Sequence, residues 1–584
     1  MTNKYLAVAT ATAAVGVLAA CTGGADAPAP DADGGSARAT CDPRMDSAFE
    51  RWERAGFSGS IAVTTAGRAD CLAAYGSADD AAGTPNTTDT VFSIGSVTKA
   101  VTAATVFNLV DDGRLRLDDR AGDLLPGRLT GPVAEVTVRQ LLLHTGGLKG
   151  SHGEDHEPLD RDAALKAISQ LEVAFRPGGG YAYSNAGYTL LALIIEKVSG
   201  TTYREYTASK MLRLPGGRVT GGFWEGKPAP AGPRATGYLE GGRTGERGDF
   251  TGPHWALEGN GSLAMTAGDL AAWTRALFTA ELVTAESVQA ISKPGHDLGE
   301  GRAETPGWVA FDASVHGKPF LASSGGGGQV GHDAVVLWIP REQRAIAITS
   351  NKPKMSAEAL LKKVGPALIA GKPLPTPRTP TAPAPGAAAA VGKYTLRSGG
   401  SFDVKSAGGG ITVSATGADA LTTLFPPKPK PKPKPKAGTG KKPGGSAGAT
   451  AADFRANERR VRDLLDGKSR EGRRERAALE RDFGPLRGVE LGATLFHGGD
   501  VRTYVTLTTR TGPITGWYSL DAVGGIAAAE VPTKPLSLTL VPAGRDRYRP
   551  DDPAGTGPEV TVTFRAGRMS VAGPRGTTVA ARAD

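Results

Sequence analysis

The chain has 584 residues, more than one ordinary domain requires, so two to four folded units are expected. Its formal net charge is +9, but seven lysines between residues 428 and 442 leave only 9 − 7 = +2 for the remainder. The folded parts are therefore nearly neutral, and the composition gives no basis for nucleic-acid binding. The 81 glycines and 41 prolines predict long turns and linkers between the folded units.

The N-terminus predicts export. Residues 1–21 contain Lys4 and then an apolar run that is too short for a persuasive membrane span. The sequence Leu-Ala-Ala-Cys at 18–21 resembles the lipobox of bacterial lipoproteins, which implies a lipidated Cys21 on the outer face of the cytoplasmic membrane. The alternative is an ordinary cleaved signal with a chance cysteine. Residues 22–42 are polar and rich in Pro and Gly, which predicts a flexible tether.

Two further cysteines remain, Cys41 and Cys71. In an exported protein, a leftover pair suggests one disulfide, here between the start of a helix and a strand. Two separately buried thiols are the alternative.

Residues 91–112 (VFSIGSVTKAVTAATVFNLVDD) predict a short strand that breaks at Gly95 and continues as a largely buried helix. Ser96 and Lys99 lie one helical turn apart, so both side chains can enter one cleft. A desolvated lysine can serve as the base that activates a serine nucleophile. The alternative is a capping serine and a surface lysine.

A second polar pair precedes the helix predicted from residue 186 to residue 199. Tyr183 and Asn185 point the same way if the backbone between them is extended. A phenol can relay protons, and an amide can hold a substrate carbonyl or the lysine. The alternative is that Asn185 caps the helix and Tyr183 packs.

The loop at residues 151–158 holds five residues of metal-binding type, but their spacing does not match the His-Glu-x-x-His pattern of a zinc-binding helix. A solvated polar loop is expected, with neither metal nor cofactor. These five residues are His152, Glu154, Asp155, His156 and Glu157.

Taken together, Ser96-x-x-Lys99 and Tyr183-Ser184-Asn185 resemble the serine β-lactamase and penicillin-binding-protein superfamily, and most closely its branch of class C β-lactamases, D-alanyl-D-alanine carboxypeptidases and esterases. HTGGL at 144–148 and GNGSL at 259–263 follow in family order. The resemblance covers residues 43–370. It implies an α/β (α+β) domain of serine β-lactamase/transpeptidase type, with a central antiparallel sheet flanked by helices.

The chain departs from the family at its third motif, which is Lys-Thr-Gly or His-x-Gly on a strand beside the nucleophile. Ser323-Ser324-Gly325 aligns with it, although a shift by one residue to Ser324-Gly325-Gly326 is possible. In both alignments a serine replaces the cation that binds a substrate carboxylate. By resemblance, the backbone N–H groups of Ser96 and about Gly326 form the oxyanion hole. His332 on the next strand could replace the cation, but a surface position is expected.

The last third predicts accessory domains after a proline-rich linker at 371–390. Related serine hydrolases often carry a small β-barrel after the catalytic module. By that resemblance, the short strands at 391–425 and 535–584 are expected to form one small β-barrel-like domain, split by an inserted α+β domain at 451–534. Residues 453–481 of the insert are helical in pattern, and the strand from Val501 is expected to be half buried.

Residues 426–450 alternate lysine and proline, which favours an extended, solvated linker. A mere spacer is one interpretation. Adhesion to anionic cell-wall polymer or lipid headgroups is the other.

The sequence therefore predicts a membrane-anchored extracytoplasmic serine hydrolase that forms an acyl-enzyme. Ser96 is the expected nucleophile, Lys99 and Tyr183 exchange its proton, and Asn185 positions a small-molecule or peptide substrate. The substrate class stays open between a β-lactam, a D-Ala-D-Ala-type peptide and a simple ester. The alternative is a binding protein that kept the fold without efficient catalysis.

Overall fold

A computed structural model describes residues 40–583 with internal gaps at 156, 240–241, 243, 246–251, 328–329, 378–386, 408–409, 427–450, 498–499, 511, 521–523, 534, 545, 552–557 and 575. Cys21, the signal segment, the tether up to residue 39 and nearly all of the Lys-Pro tract lie outside the described residues. No helix in the described part is both long and apolar enough to cross a membrane.

The first domain ends with a helix at residue 370. Its strands are β1 Thr40–Cys41, β2 Gly59–Thr65, β3 Arg68–Tyr75, β4 Ser77–Asp79, β5 Thr84–Pro85, β6 Phe92–Ser93, β7 Leu148–Lys149, β8 Glu172–Val173, β9 Gly222–Phe223, β10 Leu263–Met265, β11 His296–Gly299, β12 Arg302–Thr305, β13 Trp308–Phe311, β14 Phe320–Gly327, β15 His332–Ile339 and β16 Arg344–Ser350.

The helices of the same domain lie before β2, between β6 and β11, and after β13. They are α1 Pro43–Arg54, α2 Thr98–Asp111, α3 Ala121–Leu124, α4 Val138–Leu142, α5 Arg161–Ser169, α6 Asn185–Ser199, α7 Tyr203–Lys210, α8 Ala267–Phe278, α9 Ala285–Ser292, α10 Ala313–His316 and α11 Ala357–Ala370.

Among the described residues, the main sheet has nine antiparallel strands in the order β1-β3-β2-β16-β15-β14-β13-β12-β11. Alternate residues of β15 separate its two faces. Val336 faces the apolar cluster built around α2 and α6, whereas Val335 faces the cluster built around α1 and α11. The predicted central antiparallel sheet flanked by helices is confirmed.

A disulfide joins Cys41 to Cys71 across the paired strands β1 and β3. It fixes the start of the described chain to the edge of the main sheet.

The C-terminal third forms one closed barrel in the described part of the chain, with strands from both sides of the insert. The predicted C-terminal barrel domain is confirmed. Its elements are α12 Ala387–Ala390, β17 Gly392–Thr395, β18 Ser401–Ala407, β19 Gly410–Thr416, α13 Ala418–Leu424, β24 Ser537–Pro542, β25 Arg547–Pro550, β26 Thr561–Arg565, β27 Arg568–Gly573 and β28 Gly576–Arg582.

The insert consists of two helices and a four-stranded antiparallel sheet within the described residues. The predicted helical stretch is two helices, because Gly467 adopts φ +69° after the first and Ser469 caps the second. The elements are α14 Ala451–Leu465, α15 Arg470–Phe483, β20 Gly488–His497, β21 Asp500–Thr509, β22 Gly512–Leu520 and β23 Ile526–Glu530.

The expectation of a half-buried strand at β21 is wrong, because both faces of the insert's sheet are covered. Val505 packs with the apolar residues of α14 and α15. Tyr504 and Trp517 on the other face belong to the core of the barrel, and the Arg502 guanidinium stacks 3.9 Å from the Trp517 ring centre. The insert and the barrel therefore share one apolar core.

Candidate active site

Ser96 and Lys99 lie where β6 turns into α2. Gly95–Val97 form a 3₁₀ turn, and no side chain caps either that turn or α2, so Ser96 is not a helix cap. Lys99 is only 3% exposed, which rules out a surface lysine. Gly95 supplies the φ of +48° at which the chain turns.

Tyr183 and Asn185 precede and begin α6. The Ser184 hydroxyl accepts the Gly187 N–H at 3.2 Å and caps the helix. The Asn185 amide therefore takes no part in capping, and its oxygen accepts a hydrogen bond from the Lys99 amine.

The Lys99 amine is the centre of the site. Its nitrogen lies 2.9 Å from Ser96 Oγ, 2.8 Å from Asn185 Oδ1 and 3.0 Å from the carbonyl oxygen of Asn260. The Tyr183 hydroxyl donates to Ser96 Oγ at 2.8 Å. The structure thus brings the four sequence-predicted residues together around one serine hydroxyl.

Burial determines the protonation states of the Lys99 amine and the Tyr183 hydroxyl. Loss of solvent lowers the pKa of Lys99 to about 7, against the opposing effect of the Asp155 and Glu304 carboxylates, which favour the charged amine. Burial of its hydroxyl raises the pKa of Tyr183 above its ordinary value, although 43% of the whole residue remains exposed. Near neutral pH the lysine is a neutral amine in a large fraction of molecules, while the phenol keeps its proton.

The ring of His144 packs against the ring of Tyr183. Its ring centre lies 4.4 Å from that of Tyr183, and its Nδ1 accepts the Ser184 N–H at 3.0 Å. Burial lowers the pKa of His144 well below its ordinary value, so the ring is neutral. The neutral imidazole ring therefore fixes the segment that carries Tyr183 and Asn185 without adding a charge beside Lys99.

Sequence reasoning missed the Asn260 carbonyl, since a backbone oxygen has no residue-type signature. Its segment is held by the Asn260 side chain, whose amide donates to Thr189 Oγ1 at 2.8 Å. Two residues earlier, the buried Glu258 forms an ion pair with the buried Arg204. The carbonyl is therefore fixed in position by buried polar contacts.

The backbone of strand β14 contacts the backbone of the turn that carries Ser96. A Cβ added at Gly325 would lie 2.1 Å from Ser96 N, and one added at Gly95 would lie 3.1 Å from Gly326 N. Both glycines are thus needed for the approach. The amides of Ser96 and Gly326 belong to the same contact.

The residues that align with the family's third motif lie on two faces of β14. Ser323 is 7% exposed and pairs with Val336, on the face toward α2, and Gly325 shares that face. Ser324 pairs with Val335 and is exposed on the other face. Of the two alignments, Ser323-Ser324-Gly325 therefore puts the replaced cation position on the side of Ser96.

The expected surface position for His332 is wrong. The residue is 3% exposed, and its Nδ1 accepts the Ser93 N–H at 3.1 Å. Its ring contacts Phe92 and Trp224, with centres 5.9 Å and 5.0 Å away. The His332 ring therefore packs against β6 and accepts one of its backbone N–H groups.

The loop at 151–158 is held on both sides rather than being simply solvated. His152 is buried with Nε2 3.0 Å from the Trp255 carbonyl oxygen, and burial lowers its pKa to about 4. His254 Nε2 lies 3.1 Å from the Asp155 carbonyl oxygen. His156 lies outside the described residues, and no group of three or more potential ligands within them could hold a metal.

The insert reaches this loop through α15. Arg474 donates to the Ser151 carbonyl at 3.3 Å, and Arg481 forms an ion pair with Glu157 at 3.1 Å. The loop beside the site is thus clamped between the first domain and the insert.

A second titratable pair, also missed from the sequence, borders the site. Glu304 on β12 is 5% exposed, and its Oε2 accepts a hydrogen bond from the Tyr181 hydroxyl at 3.0 Å. Burial raises the pKa of Glu304 to about 8, although the Tyr181 hydrogen bond and the Lys99 charge lower it. Tyr181 stacks on His296 of β11 at 5.4 Å between ring centres.

We expect Gly325→Ala to disable the site without unfolding the protein. The new methyl group must displace Ser96 N, which would separate the two backbone amides and cost about 100-fold or more in acylation rate. The measurement is the rate of labelling by a fluorophosphonate. Gly488→Ala is the matched control, because its added Cβ would meet nothing closer than 3.8 Å. Equal labelling rates for the two variants would contradict the interpretation.

The sequence of the domain that holds this site is similar to those of known proteins. Residues 40–368, more than half of the chain, match the family model described as Beta-lactamase. The "Putative penicillin-binding protein PbpX" of Bacillus subtilis (strain 168) is 30% identical over 280 residues, 47% of this chain and 69% of its own length. A teichoic acid D-alanine hydrolase of Staphylococcus aureus is 30% identical over 156 residues, 26% of this chain and 38% of its own.

One solved structure resembles nearly the whole chain. The octameric penicillin-binding protein homologue from Pyrococcus abyssi superposes with a TM-score of 0.51 at 17% identity, over 92% of this chain and 99% of its own, which shows a shared fold. The match over residues 40–368 contains the whole Ser96 site. The chain therefore belongs to the beta-lactamase family of serine hydrolases.

Proposed function

We propose that this protein is an extracytoplasmic acyl-transferring hydrolase whose nucleophile is Ser96 and whose base is Lys99. The observation that carries the proposal is the buried Lys99 amine, within hydrogen-bond distance of Ser96 Oγ and Asn185 Oδ1. A neutral amine at 2.9 Å can take the serine proton as Oγ attacks a carbonyl carbon. The amides of Ser96 and Gly326 receive the charge that develops on the carbonyl oxygen.

Tyr183 completes the proton path. Its protonated hydroxyl reaches Ser96 Oγ at 2.8 Å, so it can donate a proton as the bond from the carbonyl carbon to the leaving group breaks, and Lys99 can replace that proton. Water then attacks the acyl-enzyme and gives its proton back through the same pair, which releases a carboxylic acid and restores the serine. Asn185 orients the acyl group and holds the lysine.

The favoured substrate is an ester or amide of D-alanine type without a carboxylate beside the scissile bond. Ser323 stands where related enzymes carry a cation, so a neutral hydroxyl rather than a positive charge would meet a carboxylate at that position. The hydrolase of D-alanine groups on teichoic acid among the relatives supports such a substrate. Penicillins and D-Ala-D-Ala peptides, which carry that carboxylate, are the competing substrates.

We expect Ser96→Ala to abolish both fluorophosphonate labelling and turnover of a chromogenic D-alanyl ester. Only weak labelling by a fluorescent penicillin is expected from the wild type, because the carboxylate-binding cation is missing. The wild type and the variant are compared by gel fluorescence with both probes. Undiminished labelling of the variant would refute the nucleophile, and a wild type inert to both probes and to esters would favour a binding protein.

The pH profile tests the base. Protonation of Lys99 removes the base, so kcat/KM should rise with pH along a limb with an apparent pKa near 7, the value that burial gives this amine. Initial rates with a neutral ester from pH 5 to pH 9 measure the limb. A profile flat between pH 6 and pH 8 would contradict the role of Lys99.

The same proposal includes a lipid anchor at Cys21 and a tether that holds the enzyme at the outer face of the cytoplasmic membrane. It rests on Leu-Ala-Ala-Cys at residues 18–21. We expect the full chain to incorporate labelled palmitate in a bacterial host and to fractionate with membranes. Cys21→Ala should lose both properties, and membrane-bound, labelled Cys21→Ala protein would refute the anchor.

A further inference from the structure

Glu304 is a buried acid without a salt-bridge partner among the described residues. Its carboxyl accepts the Tyr181 hydroxyl, and Lys99 is the cation whose charge acts on it. Glu258, equally buried, pairs directly with Arg204. The Tyr181 ring lies 6.0 Å from the His144 ring, which in turn packs on Tyr183, so two aromatic rings connect this carboxyl to the residue that donates to Ser96 Oγ. Ionisation of a buried carboxyl without a cation costs free energy, so the group keeps its proton until a cationic partner arrives.

The charges around Lys99 have one sign. The two groups whose charges act on its amine, Asp155 and Glu304, are both carboxylates, and Ser323 adds no cation. Lys99 itself is neutral in a large fraction of molecules near neutral pH, because burial lowers its pKa to about 7. Once Glu304 ionises, the vicinity of Ser96 is therefore suited to a positive group and unsuited to a carboxylate.

Resting on the proposed function, we propose that Glu304 binds an ammonium group of the substrate and makes this site select cationic esters and amides over neutral ones. The ammonium can belong to the acyl group, as in an alanyl ester, or to the leaving group, as in an amino-alcohol ester. The chemistry of recognition is the same for both sources.

Several groups surround this carboxyl and set its charge. Tyr181 donates to it, Lys99 acts on it from α2, and His296 stands opposite it on β11. Its charge also raises the pKa values of Tyr183 and Tyr188. With a pKa of about 8, the empty carboxyl is mostly protonated at neutral pH. A bound ammonium favours the ionised form, so a proton leaves as the substrate binds.

Two matched substrate pairs test the inference. D-Alanine methyl ester is compared with methyl isobutyrate, which has a methyl group in place of the ammonium. The 2-(dimethylamino)ethyl ester of N-acetyl-D-alanine, whose protonated nitrogen keeps an N–H donor, is compared with its 3-methylbutyl ester, which has a CH group in place of that N–H. The ratio of kcat/KM, cationic over neutral, is measured for each pair in the wild type, Glu304→Gln and Tyr181→Phe. A ratio within one variant is independent of its folded fraction.

In Glu304→Gln the ratio of at least one pair should fall about tenfold or more, the size expected for a charge-assisted hydrogen bond. The pair that responds identifies the source of the ammonium. Tyr181→Phe keeps the carboxyl and should keep the preference. Ratios unchanged in Glu304→Gln would overturn the inference, and so would an equal fall in Tyr181→Phe, since packing rather than charge would then explain it.

Fluorophosphonate labelling of Ser96 separates the two levels. If the wild type is labelled and hydrolyses the two members of each pair at equal rates, in both pairs, the ammonium site is refuted and the hydrolase stands. If the wild type is neither labelled nor active on any of the four esters, the proposed hydrolase and the inference fall together.

Discussion

The site depends on the burial of one amine. A lysine whose pKa falls from 10.5 to about 7 favours its neutral form by about 5 kcal/mol relative to an exposed lysine. Between those two pH values the unfolded chain binds one more proton than the folded one, so stability rises with pH across this window. At neutral pH the folded protein thus carries an unfavourable contribution, which the packing around α2 must offset. The burial that causes this unfavourable contribution also keeps a neutral amine beside Ser96.

The surroundings of Lys99 follow from this constraint. A closely paired carboxylate would hold the amine charged, and its hydrogen-bond partners are instead neutral oxygens from Ser96, Asn185 and the Asn260 backbone. Even His144 is kept neutral by burial. The two acids that do act on the amine oppose the effect of burial without cancelling it. The balance between burial and these two carboxylates sets the pKa near the pH at which a base is useful.

The parts of the site that could be predicted from sequence are those whose side chains lie at short spacings along the chain. Ser96, Lys99, Tyr183 and Asn185 act through side chains in short spacings, so residue types and helix geometry indicate them. Lone residues give no such spacing. Glu304 reaches Tyr181 across 123 residues of sequence, and the role of Asn260 belongs to its backbone. His332 has the composition of a surface strand residue, but its partner Ser93 lies 239 residues away. Long-range contacts of this kind override local pattern.

In the C-terminal third, the resemblance to related hydrolases predicted the barrel. Alternation predicted its strands and those of the insert, because each strand of a small barrel turns one apolar face to the interior. It could not predict that the insert's sheet is covered twice, since burial on the second face comes from Tyr504 and Trp517 meeting the barrel. That shared core ties the insert to the barrel, and Arg474 and Arg481 of α15 tie it to the loop that carries Asp155. Asp155 is one of the two acids that act on Lys99. The accessory domains are thereby connected to the pKa of the base through contacts made far from Ser96 in sequence.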